Sequence, residues 1–80
     1  MQIKQAIAER FVLLCQEANI KPNELATKSG VTPSTVYSML EPSREDIRIT
    51  TIKKLCDGLE ISILEFFDTE VFRNLEQEIK

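Results

Sequence analysis

Eighty residues fall below the roughly 100 to 200 usual for a domain, so residues 1–80 are expected to fold as one unit around one core. With 42% apolar and 29% charged residues the chain is too apolar for a disordered tail. Its longest apolar run, Phe11-Val12-Leu13-Leu14-Cys15, is far short of the about 20 residues that cross a bilayer, so neither membrane insertion nor export is expected, and the protein is expected to be cytoplasmic.

From Ile3 to Ala18 the apolar residues Ile3, Ala6, Ile7, Phe11, Leu14, Cys15 and Ala18 recur at three- and four-residue steps, the spacing of one helix face. Asn19-Ile20-Lys21 interrupts that helix. Pro22 suits the first position of a second one, where its missing N–H costs nothing and Glu24 meets the positive end of the dipole. This helix is predicted to run to about Ser29, with Gly30 ending it in a left-handed conformation that a Cβ disfavours. Thr32 is a natural N-cap and Pro33 the first residue of a third helix, whose Val36, Met39 and Leu40 turn inward. Glu41-Pro42 stops it, because a residue before proline avoids helical dihedrals. Residues 42–48 are polar and charged, as in a surface loop. Thr50 or Thr51 then caps a fourth helix bearing Ile52, Leu55 and Cys56, with Gly58 near its end. Ser62 and Glu65 form a capping box for a fifth, in which Ile63, Leu64, Phe66 and Phe67 crowd inward. Asp68 or Thr69 caps a last helical segment over about residues 69–79. No strand pattern or repeat breaks the series, so the fold class is all-α with short loops.

The sequence has no histidine and two glycines, Gly30 and Gly58. It therefore lacks the commonest general base and metal ligand, and it cannot build a glycine-rich phosphate loop. No enzyme, metal or cofactor is expected. Cys15 and Cys56 stand in separate predicted helices without paired spacing and read as buried free thiols. The formal net charge of −3 argues against a nucleic-acid partner until its distribution is considered. Between Ile20 and Leu55 there are six basic residues (Lys21, Lys28, Arg44, Arg48, Lys53, Lys54) against four acidic (Glu24, Glu41, Glu45, Asp46); the remainder holds four against nine. A mildly positive face with an acidic rear follows. The Glu45-Asp46 pair reads as solvated surface charge.

The stretch Pro22–Leu40 carries the functional information. Leu25, Val31, Val36 and Met39 lock two helices onto the first, Ala26 is small where they cross, and Gly30 permits the sharp turn between them. A larger side chain at position 26 would push the helices apart. Ser34, Tyr37, Ser38 and Glu41, spaced i, i+3, i+4 and i+7, are left on one outward stripe. A helix about 10 to 12 Å across with small hydroxyls and a phenol on that side fits a major groove about 12 Å wide.

At these residues the chain resembles the Cro/cI-type helix-turn-helix family, the lambda-repressor-like fold of five helices. The likeness covers roughly Ile7 to Phe67, including Thr51-Ile52-Lys53-Lys54-Leu55-Cys56-Asp57-Gly58-Leu59 and Ile61-Ser62-Ile63-Leu64-Glu65-Phe66-Phe67 as fourth and fifth helices. It implies a single helix-turn-helix domain, with the motif at about residues 22–40 and the extra C-terminal helical segment appended. It also implies double-stranded DNA as partner. Thr32, Pro33, Ser34, Tyr37 and Ser38 fall where the family contacts bases or the groove, and Asn23, Arg44 and the backbone amides near Thr50 and Thr51 fall where it grips phosphates. The family often begins its second and third helices with glutamines, where this chain has Pro22 and Pro33. Neither proline can donate, so contact with a thymine methyl is the most Pro33 offers. Glu41 and the Glu45-Asp46 pair set negative charge near the expected backbone path and weaken binding. Tyr37 could instead pack over the following loop, and Lys53 and Lys54 read as surface residues with one of them near a phosphate as the competing idea.

Phe66, Phe67, Phe72, Leu75 and Ile79 exceed what a five-helix core needs. Val71, Phe72, Leu75 and Ile79 span two helical turns on one side, which suggests a symmetric homodimer contact, with docking onto their own domain as the other reading. A dimer would hold two recognition helices about 34 Å apart, one turn of DNA. The function implied is a sequence-specific DNA-binding transcriptional regulator, repressing a nearby promoter in a bacterium or mobile element. The competing class is a protein-interaction module, such as an antitoxin whose acidic, apolar C-terminal end masks a basic toxin.

Overall fold

Helices account for all the regular structure in the computed structural model, which describes residues 1–44 and 46–79. They are α1 (Ile3–Ala18), α2 (Pro22–Ser29), α3 (Pro33–Leu40), α4 (Ile49–Gly58), α5 (Ile63–Phe67) and α6 (Glu70–Arg73). The all-α class is the one the periodicity predicts, five helices with a sixth short one appended.

Local chemistry explains most of the boundaries. Asn19, left-handed at φ 55°, ends α1, a conformation Asn tolerates better than most residues. Pro22 and Pro33 occupy first helical positions, and Thr32 caps α3 by accepting from the Thr35 amide. Gly30 ends α2 at φ 70°, and Val31 N–H closes the turn on the Ala26 carbonyl at 3.0 Å. Ser62 and Glu65 form the complete capping box of α5.

The core is built from one stripe per helix. Ala6, Ile7, Phe11 and Cys15 come from α1, Leu25 and Ala26 from α2, and Val36 and Met39 from α3; Ile52, Leu55 and Cys56 come from α4 and Phe66 from α5. α2 packs across both α3 and α4, and the Ala26 at this crossing is 0% exposed. Phe66 lies at the centre of an aromatic group, its ring 4.4 Å from Phe11, 4.9 Å from Phe67 and 5.8 Å from Phe72 between centroids. Arg10 ties α1 to the end of α5, donating to the Phe66 carbonyl at 2.9 Å and the Glu65 carbonyl at 3.2 Å. A guanidinium there meets the negative end of the helix. Both cysteines are free and buried, and burial pushes their thiols up from the usual range, which keeps them protonated and unreactive near neutral pH.

The structure corrects four expectations. Ile3 and Ala18 lie exposed at the two ends of the α1 stripe, beyond the reach of the core. Leu64 points outward, 79% exposed: at about 100° per residue, Ile63, Phe66 and Phe67 share one side of a short helix and Leu64 falls off it. α4 starts at Ile49, with Arg48 in the N-cap position and no side-chain cap. Thr50 and Thr51 therefore sit inside its first turn instead of capping it.

The last correction concerns the C-terminal segment, which is helical only over Glu70–Arg73. The Asn74 side-chain amide donates to the Glu70 carbonyl at 3.0 Å, competing with helix continuation, and Arg73 pairs with Asp68 and Glu70. Beyond it the chain runs back to the start of α1. Glu76 N–H donates to the Met1 carbonyl at 3.1 Å, and Ile3 N–H to the Glu78 carboxylate at 3.4 Å. The single apolar side expected of Val71, Phe72, Leu75 and Ile79 is accordingly split. The Phe72 ring packs 4.9 Å from Phe67 within its own domain and Leu75 is half-buried, while Val71 and Ile79 are exposed.

Candidate nucleic-acid interface

The bend at Gly30 fixes which side of α3 is inward. Val36 and Met39 are 2% and 4% exposed, whereas Tyr37 is 55% exposed, and Thr32, Pro33, Ser34 and Ser38 are exposed with it. Tyr37 therefore lies on the exposed side of α3.

Beside this stripe, between α3, the loop after it and α4, opens a hollow of about 510 Å³. Thr35 and Ser38 line it from α3, Arg44 and Arg48 from the loop, and Thr51 and Lys54 from α4. Three cations thus face one described carboxylate, Asp46. Glu45 lies outside the described residues. None of the three cations is in an ion pair among the described residues, whereas Lys53 is paired with Asp57 one turn further along α4. Of the two exposed lysines, Lys54 lines the hollow and Lys53 does not. The Thr51 amide is spent on the Arg48 carbonyl at 3.1 Å, and the Thr50 amide has no acceptor among the described residues. An unspent amide at a helix N-terminus favours an anion.

Of the residues singled out in the sequence, Thr32, Ser38, Arg44 and Thr51 line this hollow together. Ser34 joins them through its contact with Thr32, and Tyr37 stands on the outward stripe. Thr50 is exposed in the first turn of α4 and Asn23 in that of α2, neither of them lining the hollow. Glu41 is held at the end of α3, its carboxylate accepting from the Ser43 hydroxyl at 3.4 Å and its carbonyl from Lys4. Thr35 was not singled out in the sequence, and Arg48 counted there only toward the basic stretch between Ile20 and Leu55. Thr35 precedes Ser38 by one helical turn and could have been placed beside it; Arg48 was hidden by the misplaced start of α4.

A short bent pair of helices that exposes one side of the second beside a basic hollow has a counterpart among known proteins. Residues 13–71 match the Cro/C1-type HTH DNA-binding domain. The chain belongs to this family. The solved structure of the prophage Lp1 protein 11 is similar to it over 94% of this chain and 100% of that one, at 33% identity and a TM-score of 0.83. No curated protein matches the chain. As a Cro/C1-type domain the chain is a DNA-binding regulator. Among the described residues no helix is long and apolar enough to cross a membrane.

Proposed function

We propose that the protein is a cytoplasmic, sequence-specific repressor that binds an operator as a homodimer, each subunit placing α3 in a major groove. The observation that carries this reading is the division of α3, with Val36 and Met39 buried and Tyr37, Ser34 and Ser38 exposed beside Arg44, Arg48 and Lys54. Ser34, Tyr37 and Ser38 read bases, with Pro33 limited to an apolar contact. Arg44, Arg48 and the first turn of α4 around Thr50 and Thr51 hold phosphates.

The experiment is duplex binding at increasing salt. The logarithm of affinity should fall linearly with the logarithm of salt, at about −0.9 per phosphate neutralised. Arg44→Ala or Arg48→Ala should each reduce that slope by roughly one contact and weaken all sequences alike, while Tyr37→Ala should cost about 1–3 kcal/mol at one matched base pair. A flat response to salt would reject this function and leave the protein-partner alternative.

The homodimer rests on Val71 and Ile79, which remain exposed, and no longer on Phe72. Val71→Glu should convert a sedimenting dimer to a folded monomer and reduce affinity for a two-half-site duplex. If this variant sediments as the wild type does, the dimer contact lies elsewhere.

A further inference from the structure

At the start of α3 the Thr32 hydroxyl oxygen lies 3.2 Å from that of Ser34 and 2.8 Å from that of Thr35. The Thr35 N–H also reaches it at 3.4 Å, as the longer branch of a bond shared with the Thr32 carbonyl at 3.0 Å. All three residues are exposed, and Thr32 and Thr35 line the basic hollow.

Three hydroxyls carry three protons. The two bonds that join them consume two, so the group can donate one hydrogen bond outward without breaking itself. Which hydroxyl donates is exchangeable. When Thr32 donates to Ser34 and accepts from Thr35, the Ser34 proton is free and Thr35 can only accept; in the reverse arrangement Thr35 donates and Ser34 only accepts. An arrangement in which Thr32 accepts from both is disfavoured, because the Thr35 N–H already occupies one of its two lone pairs. Ser34 and Thr35 therefore face outward with opposite polarity.

The major-groove edge of adenine offers the N7 acceptor beside the N6 amino donor, whereas guanine offers two acceptors, N7 and O6. The hydroxyl group can satisfy both positions of adenine intact. Against guanine it leaves one acceptor unmet or breaks a bond to Thr32. We infer that Thr32, Ser34 and Thr35 form a single specificity-determining unit that takes adenine and rejects guanine at one operator position, with Thr32 as the positioning residue that couples the other two. The inference rests on α3 reading the major groove and adds which base its first turn accepts.

The test begins with duplexes enriched from a random pool by the wild-type protein and by Ser34→Ala, which identifies the position the unit reads. Adenine is expected there in the wild-type pool. Replacing that adenine by 7-deazaadenine, which lacks the N7 acceptor, or by purine, which lacks the amino donor, should each weaken binding about tenfold. Thr32→Val keeps the side-chain shape and removes the shared oxygen, so it should narrow the ratio of adenine to guanine binding. Because Thr32 also caps α3, Thr35→Val serves as the second variant; it leaves the cap oxygen in place and should narrow the ratio as well. Guanine enriched at the Ser34-dependent position, both analogues binding as well as adenine, or a ratio unchanged in both variants overturns the inference. Enrichment with no position dependent on Ser34 overturns it too while leaving DNA reading intact. A pool from which no duplex is enriched overturns the proposed function and this inference with it.

Discussion

Phe66→Ala is expected to lower the unfolding free energy by about 3–5 kcal/mol, at the upper end of what truncating a core side chain costs. Phe66 is 0% exposed, and its ring touches those of Phe11 from α1, Phe67 beside it and Phe72 from α6. Its backbone carbonyl also holds the Arg10 guanidinium, which lies 5.9 Å from the ring centre. Removing the ring opens a cavity between α1, α5 and α6, so the transfer loss and the cavity loss add. Domains are commonly stable by about 5–15 kcal/mol, and one of this size has little to spare. Denaturant titration followed by far-ultraviolet circular dichroism measures the effect. A loss under about 1 kcal/mol, the centre of the range for ordinary substitutions, would show that α1, α5 and α6 are not held through this ring.

The same residue shows where the sequence was legible. Phe66 stands out as buried because Ser62 and Glu65 fix the start of α5 and the helical period does the rest. Gly30, Pro22, Pro33 and the Thr32 cap are equally readable, since each acts on dihedrals or amides within three residues of itself. The helix-turn-helix and most of the core stripe follow from these alone. What escaped depends on partners distant in sequence. The tail after Arg73 finds its hydrogen bonds at Met1 and Ile3, and Phe72 finds its place against Phe66 and Phe67. A helical apolar spacing from Val71 to Ile79 cannot reveal that the chain leaves the helix after one turn. At the candidate interface the sequence supplied the outward stripe of α3 through Val36 and Met39. Arg48 and Thr35 join it only through the hollow that α3 and α4 form together.

Gly58→Ala tests that arrangement from its rear. Gly58 is the last residue of α4 and does not have a positive φ, so intrinsic propensity taken alone predicts that alanine stabilises the helix by about 1 kcal/mol. Packing reverses the sign. A Cβ there would overlap the Ser29 hydroxyl and sit 3.1 Å from Ser29 Cβ and 3.3 Å from Leu25 Cδ1. The Ser29 hydroxyl holds no hydrogen bond among the described residues and can turn aside, but Ser29 Cβ and Leu25 Cδ1 must each give by a few tenths of an ångström, and Leu25, 1% exposed within the core, gives only by shifting α2. Overpacking of this kind costs typically about 1–3 kcal/mol, which outweighs the propensity gain and leaves a net loss. Gly30→Ala makes the useful contrast, because no atom lies within 4 Å of its added Cβ and only the φ of 70° opposes it, a strain of about 1–2 kcal/mol. The two variants should therefore differ less in stability than in binding. Gly58→Ala displaces the end of α2 that leads into α3, whereas Gly30→Ala, once folded, leaves every contact of α3 in place. Denaturation and duplex affinity measured on both separate the two causes. A Gly58→Ala protein more stable than the wild type would mean that α2 can shift freely over α4, and the rigid placement of α3 on which base reading depends would lose its support.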